Sequence, residues 1–197
     1  KNGSETQCSI FRKDLNKGFT FELTAVKPRK NQWENYLLGV VHEIQELGCK
    51  LKGFDCELES NLPIGSGISS SAALECGLAS GLNALFDLGL SKMQIVALSQ
   101  RAEHNFVGTK CGIMDQFSSV MGEENKVIKI DCKTLEYEYH NADFNDYSLI
   151  LFDSNVKHSL FTSAYNTRRE ECEEGLSIIK SNFPEITSFR DCDESHV

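Results

Sequence analysis

The sequence predicts a mixed fold of helices and strands, on two kinds of observation. Short stretches alternate apolar and polar residues with a period of two, and some follow one another across turn-length gaps, as in hairpins. Between them lie longer stretches whose apolar residues recur at helical spacing. In chain order, Cys8 to Arg12 and Phe19 to Val26 read as strands joined by a turn over Asp14 to Gly18. The second sets Phe19, Phe21, Leu23 and Ala25 against Thr20, Glu22 and Thr24, a half-buried pattern. Trp33, Leu37, Val40, Val41, Ile44 and Leu47 fall at helical spacing, and Gly48 ends that helix. Phe54, Cys56 and Leu58 alternate with acids in a third strand, which runs into a loop beginning near Pro63.

A helix from Ala72 to Phe86 follows, with so many small residues (Ala72, Ala73, Gly77, Ala79, Ser80, Gly81, Ala84) that close burial against neighbours is expected. Ser91 opens the next helix, its capping box completed by Gln94, and that helix runs to about Val107 before Gly108. Gly112 to Phe117 is expected to be a loop opening a short helix that ends near Gly122. Val127 to Ile130 and Leu135 to His140 form a hairpin. The polar run Asn141 to Asp146 marks a change of character, and a domain boundary is expected near residue 141. Beyond it, Leu149 to Phe152 reads as a fully buried strand, and a helix rich in Arg and Glu covers about Thr162 to Lys180.

Composition narrows the function classes. At 197 residues the chain can bury a substantial core, and 25% charged with 40% hydrophobic residues is ordinary for a globular protein. A net charge of −9 argues against a nucleic-acid surface, and Lys27 to Lys30 is too short a basic stretch to reverse it. No apolar run reaches the roughly 18 residues that span a bilayer, and the first twenty residues do not resemble a signal peptide. The 8 cysteines are scattered, with neither a C-x-x-C pair nor zinc-ligand spacing, so most are expected to be reduced core residues of a cytoplasmic protein.

The most informative stretch is Pro63 to Ala73, Pro-Ile-Gly-Ser-Gly-Ile-Ser-Ser-Ser-Ala-Ala. A breaker-rich loop, three consecutive hydroxyls and an abrupt helix start coincide there. The opening turn of a helix leaves N–H groups unpaired and carries partial positive charge, so glycines and serines before it can cradle a phosphate. The loop is neither the P-loop pattern, because no Lys follows the glycines, nor the dinucleotide pattern, because Ser70 stands where its third glycine falls. A plain helix cap is the competing use. Two carboxylates downstream invite similar weighing. Asp115, set among Ile113, Met114 and Phe117, either caps the short helix or lines a pocket near an incoming hydroxyl. Glu103, late on its helix, is either solvated or faces the same cleft as the serine loop.

The loop resembles the ATP-binding signature of the GHMP small-molecule kinases, with Ile68 where Leu is usual. The order of further motifs is similar to the galactokinase branch of that family: Ala102 to Gly108, Cys111 to Phe117, Ile130 to Cys132, Ser154 to Leu160 and Tyr165 to Glu173. The resemblance spans roughly Trp33 to Glu174, and N-acetylgalactosamine kinase is expected to differ over Gly112 to Gln116.

The resemblance implies an α+β fold: a ribosomal-S5-like N-terminal domain (1–140 here) and the start of a ferredoxin-like C-terminal domain (141–197). It implies ATP-dependent phosphorylation of D-galactose at the C1 hydroxyl, as in the Leloir pathway of galactose metabolism. Gly65, Ser66, Gly67, Ile68, Ser69, Ser70 and Ser71 then wrap the ATP triphosphate, and Trp33 lies near the adenine. Ser71 and Glu103 match Mg²⁺ ligands. Asp115 matches the catalytic aspartate, while Gly112 and Tyr165 line the sugar site. The partners implied are ATP and galactose, with no nucleic acid, membrane or obligate protein partner.

An upstream motif with Arg and Glu-His-x-Asp, and a Gly-rich C-terminal motif, belong to the family but do not occur in these residues. The chain is therefore expected to be an internal piece with little or no kinase activity alone. Two other readings stand beside this one. A galactose-sensing paralogue is disfavoured by the Ser71-Ala72 pair, which one sensor lineage lacks, and a purely structural module is disfavoured by the ordered motif set.

Overall fold

In a computed structural model, residues 1–30, 33–63, 67–152 and 165–194 are described. β1 (Gln7–Arg12) and β2 (Lys17–Glu22) pair antiparallel, with Cys8 opposite Phe21 and Ile10 opposite Phe19. That register gathers the apolar side chains of both strands on one face. β3 (Asp55–Leu58) pairs parallel to the other edge of β1, giving a three-stranded sheet of order β2-β1-β3. Parallel pairing requires a crossover, and α1 (Asn35–Glu46) supplies it. Leu37, Val40, Val41 and Ile44 fall at i, i+3, i+4 and i+7, and all are fully buried with Cys8, Ile10 and Phe54.

A layer of helices completes the core. α2 (Ser70–Phe86) contributes Leu78, Ala79 and Leu82, and α3 (Lys92–Ala102) contributes Ile95, Leu98 and Ala102. At the start of α3, Gln94 N–H donates to Ser91 Oγ (3.2 Å) and Ser91 N–H to Gln94 Oε1 (2.9 Å), the capping box expected there. Gly39 is where α1 meets the end of α3. A Cβ at that position would lie 2.9 Å from Ala102 Cβ, 3.0 Å from Ala102 O and 3.0 Å from Phe106 Cβ. Buried Glu43, one turn along α1, accepts from Arg101 Nε and Asn105 Nδ2, both at 2.7 Å, and so ties the same two elements together.

α4 (Met114–Met121) closes a smaller cluster through Phe117 and Met121 with Val96 of α3. The hairpin of β4 (Lys126–Ile130) and β5 (Tyr137–Asn141) packs on it through Ile128 and Ile130. Tyr137 meets Phe117 edge-on at 5.1 Å, and Tyr139 Oη donates to Met121 O at 2.6 Å.

The structure corrects four expectations. β2 stops at Glu22, because Leu23 N–H turns to Thr6 O (3.0 Å) and a 3₁₀ turn over Leu23–Ala25 buries Leu23 instead of extending the ladder. The second hairpin strand begins at Tyr137 rather than Leu135, whose φ of 62 places it in the turn. Residues 149–152 are not a strand: Leu149 and Phe152 are 81% and 90% exposed, since no described strand pairs with the run and no layer covers it. The small residues of α2 are not uniformly buried either. Ala72 and Ala79 face the core, whereas Gly77, Ser80, Gly81 and Ala84 lie on an open face.

Contacts divide the chain into two compact units, Lys1–Phe161 and Thr162–Val197. Within the second, α5 (Tyr165–Asn182) carries the ion pairs Arg168–Glu171 (2.6 Å) and Arg169–Glu173 (2.9 Å). After α5, the Asp191 carboxylate accepts from the Thr187 and Ser188 amides, folding back a turn that buries Ile186. Among the described residues no helix is long and apolar enough to cross a membrane.

Candidate active site

The loop entering α2 has unusual backbone geometry. Gly67 has φ +77 with nothing within 4 Å of a notional Cβ, and Ser69 has φ 58, a left-handed conformation uncommon for a residue with a Cβ. Ser69 is the N-cap residue of α2 but makes no side-chain cap hydrogen bond. Helix-opening N–H groups are thus left for another acceptor, and the exposed Gly67 lets one approach. Gly65 and Ser66 lie outside the described residues. Ile68, Ser70 and Ser71 are half-buried. Ser71 and Glu75 stand one turn apart on one face of α2, separated by about 6 Å along its axis.

Glu75 leads to the centre of the site. It is fully buried, and so is Gln116 of α4, while Glu103 at the end of α3 is 3% exposed. Gln116 Nε2 donates to Glu103 Oε2 at 2.9 Å and to Glu75 Oε2 at 3.4 Å, with Cys111 Sγ at 3.7 Å. Glu103 therefore does not sit in solvent as an isolated helical Glu usually does. It opens a π turn, Glu103–Val107, that ends at Gly108 (φ 84), and its carbonyl accepts from the Gly108 (2.9 Å) and Thr109 (3.3 Å) amides. The wider turn lets Glu103, Phe106 and Val107 all point inward.

Asp115 lies in the first turn of α4; the N-cap residue is Ile113, so capping is not the use of Asp115. A helix N-terminus favours a carboxylate there. Its charge is close enough to raise the Glu103 pKa. The preceding loop is held from α3 and the π turn: His104 Nε2 donates to Cys111 O at 2.8 Å and Gln100 Nε2 to the same oxygen at 3.2 Å. Gly112, next in the loop, is exposed, with open space where a Cβ would stand.

Electrostatics sets this cluster apart. Burial, then the neighbouring carboxylate, pushes the Glu75 pKa well above the usual range, and burial likewise raises that of Glu103. Burial also pushes the Cys111 thiol up to about 12, with the Glu103 charge adding to it. The Tyr36 hydroxyl on α1 is raised by burial and by Glu103. Among the described residues Glu75, Glu103 and Asp115 form no ion pair with a basic side chain, and Glu75 Oε1 and Gln116 Oε1 are buried without a hydrogen-bond partner. Buried carboxyl oxygens, one of them without a hydrogen-bond partner, one helical turn from a serine hydroxyl are a hard oxygen donor set that suits Mg²⁺. No group of three or more His, Cys, Asp or Glu able to hold a metal occurs among the described residues. Mg²⁺ held by one or two protein oxygens plus phosphates and water does not require one.

Trp33 is half-buried against Phe19 (5.5 Å, edge-on), and the Arg12 guanidinium lies 5.4 Å from its ring centre. Those contacts are structural, and they leave part of the indole accessible. Tyr165 is exposed at the start of α5, in the second unit. Glu75, Gln116 and Tyr36 were not singled out in the sequence. The available signals were a lone acid four residues after Ser71 on an otherwise small and apolar helix, and an amide directly following Asp115.

This fold and this loop-and-carboxylate arrangement define a class. The family model of the GHMP kinases N terminal domain matches residues 35–123, and the chain belongs to the GHMP kinases. Curated relatives include galactokinases. That of Thermosipho africanus is 44% identical over 160 residues, which is 81% of this chain and 46% of the relative. That of Clostridium tetani is 45% identical over 152 residues, 77% of this chain and 39% of the relative. The chain thus spans about half or less of their length. A crystal structure of Lactococcus lactis galactokinase complexed with galactose superposes with a TM-score of 0.85 at 29% identity, covering 97% of this chain and 50% of that one. A Methanococcus jannaschii mevalonate kinase shares the fold at a TM-score of 0.54 and 21% identity, covering 61% of this chain and 39% of that one.

Proposed function

We propose that this chain forms the nucleotide-binding half of a cytoplasmic kinase that transfers the γ-phosphoryl group of ATP to the C1 hydroxyl of D-galactose. One observation carries the reading. The buried Glu75–Gln116–Glu103 cluster sits one helical turn beyond Ser71 and within electrostatic reach of Asp115. Phosphoryl transfer asks a protein chiefly to position two substrates and stabilise charge. Residues 65–71 receive the triphosphate on backbone N–H groups and hydroxyls at the α2 N-terminus, and Trp33 borders the adenine. Ser71 and Glu103 would hold Mg²⁺, which would supply neutralising charge at the phosphates. Asp115 orients that hydroxyl and takes its proton as the transfer proceeds. Gly112 lines the sugar. Residues 1–140 make up most of the N-terminal domain, and 141–197 begin the C-terminal one.

Calorimetric titration of the chain with a Mg²⁺-loaded, non-hydrolysable ATP analogue tests this, with Ser71→Ala alongside. The expected result is binding that weakens about tenfold or more in the variant, as for loss of a charge-assisted contact. Unchanged affinity in the variant refutes the role of the loop. Galactose-dependent ADP release, from the protein completed to the length of its relatives, tests the substrate.

A further inference from the structure

Gln116 belongs to the cluster behind the proposed function but has no role of its own in it. It follows Asp115 on α4, is fully buried, and points its amide between carboxylates from two other elements, α2 and the π turn. Its backbone is engaged as well, Cys76 Sγ lying 3.7 Å from Gln116 O. One side chain therefore joins the three elements that carry Ser71, Glu103 and Asp115. An Nε2 group has two hydrogens, and of its three acceptors Glu103 Oε2 is the nearest at 2.9 Å, ahead of Glu75 Oε2 at 3.4 Å and Cys111 Sγ at 3.7 Å. A buried amide so placed holds the orientation of the Glu103 carboxylate, because rotating Glu103 away gives up the shortest hydrogen bond of a buried donor.

We infer that Gln116 is a positioning residue: its amide locks Glu103 in the orientation that receives Mg²⁺. This rests on the kinase reading above. Residues that orient a metal ligand from behind typically change metal affinity 10- to 100-fold when removed.

The test titrates Mg²⁺ into the chain with a non-hydrolysable ATP analogue, for wild type, Gln116→Met and the double variant Gln116→Met/Glu75→Met. The double variant removes both members of one buried polar pair, which lowers the cost of the single change, where Glu75 is left stranded. Circular dichroism selects the folded variants. The expected result is that half-maximal tightening needs about tenfold more Mg²⁺, while affinity for the metal-free analogue is unchanged. A purely structural role moves both affinities or neither. Folded variants with the wild-type Mg²⁺ dependence overturn the inference and leave the kinase reading standing. A wild type whose nucleotide affinity ignores Mg²⁺ overturns the metal role and the kinase reading together.

Discussion

Two glycines on neighbouring helices should respond oppositely to the same added methyl group. At Gly39 a Cβ would stand 2.9 to 3.0 Å from Ala102 and Phe106, with one of the contacted atoms a backbone oxygen that cannot move alone. Carbon atoms prefer about 3.5–4.0 Å, so α1 and α3 must separate by several tenths of an ångström. Overpacking of this kind costs about 1–3 kcal/mol. Alanine recovers about 0.8–1.0 kcal/mol through helix propensity. With backbone in the way, the net for Gly39→Ala is about 2 kcal/mol of destabilisation. At Gly77 on α2, nothing lies within 4 Å of the added atom, so only the propensity gain of about 1 kcal/mol remains. For a chain of this size each kcal/mol shifts Tm by about 2–4 °C. Thermal unfolding followed by circular dichroism should show Gly39→Ala about 4–8 °C lower and Gly77→Ala about 2–4 °C higher. A Gly39→Ala chain that melts at or above wild type would falsify the close approach of α1 to α3.

Iodoacetamide at neutral pH should label exposed Cys132 and Cys172 first and spare Cys76 and Cys111, whose thiols are held at about 11 and about 12; early labelling of Cys111 would mean the cluster opens readily. Ser91→Ala removes one half of the α3 capping box and should cost about 1 kcal/mol in urea unfolding; no loss would show that the cap is redundant. In a protein completed to the length of its relatives, Asp115→Asn should lower kcat by 10²- to 10⁴-fold, as for a lost proton acceptor, with little change in ATP affinity. Near-normal turnover would rule out the role proposed for Asp115.

The fold was legible wherever one face of an element is buried by local pattern. The α1 stripe from Leu37 to Ile44 and the Ser91–Gln94 box needed no tertiary information. The Gly/Ser loop leading into α2 was legible as a loop for the same reason, being contiguous. What could not be read is what depends on surfaces remote in sequence. Glu103 is buried because α2 and α4 wall it in, so its neighbours along the chain gave no hint. Leu149 to Phe152 has the composition of a buried strand but no cover among the described residues. Likewise α2 reads as uniformly close-packed, although its small residues split between a core face and an open one. Ser69, in a left-handed conformation, breaks a local rule at the candidate phosphate site, where such conflicts concentrate.

The π turn at Glu103–Val107 makes this stretch strict about length and more lenient about identity. Losing one residue would return it to α geometry and turn the following side chains by about 100°, taking Phe106 off the core. Substitutions at half-exposed His104 change one contact, whereas a deletion rephases the segment that leads to Gly112 and Asp115. Changes of chain length are better absorbed in the exposed turn between β4 and β5, which is where a tag or reporter should be inserted.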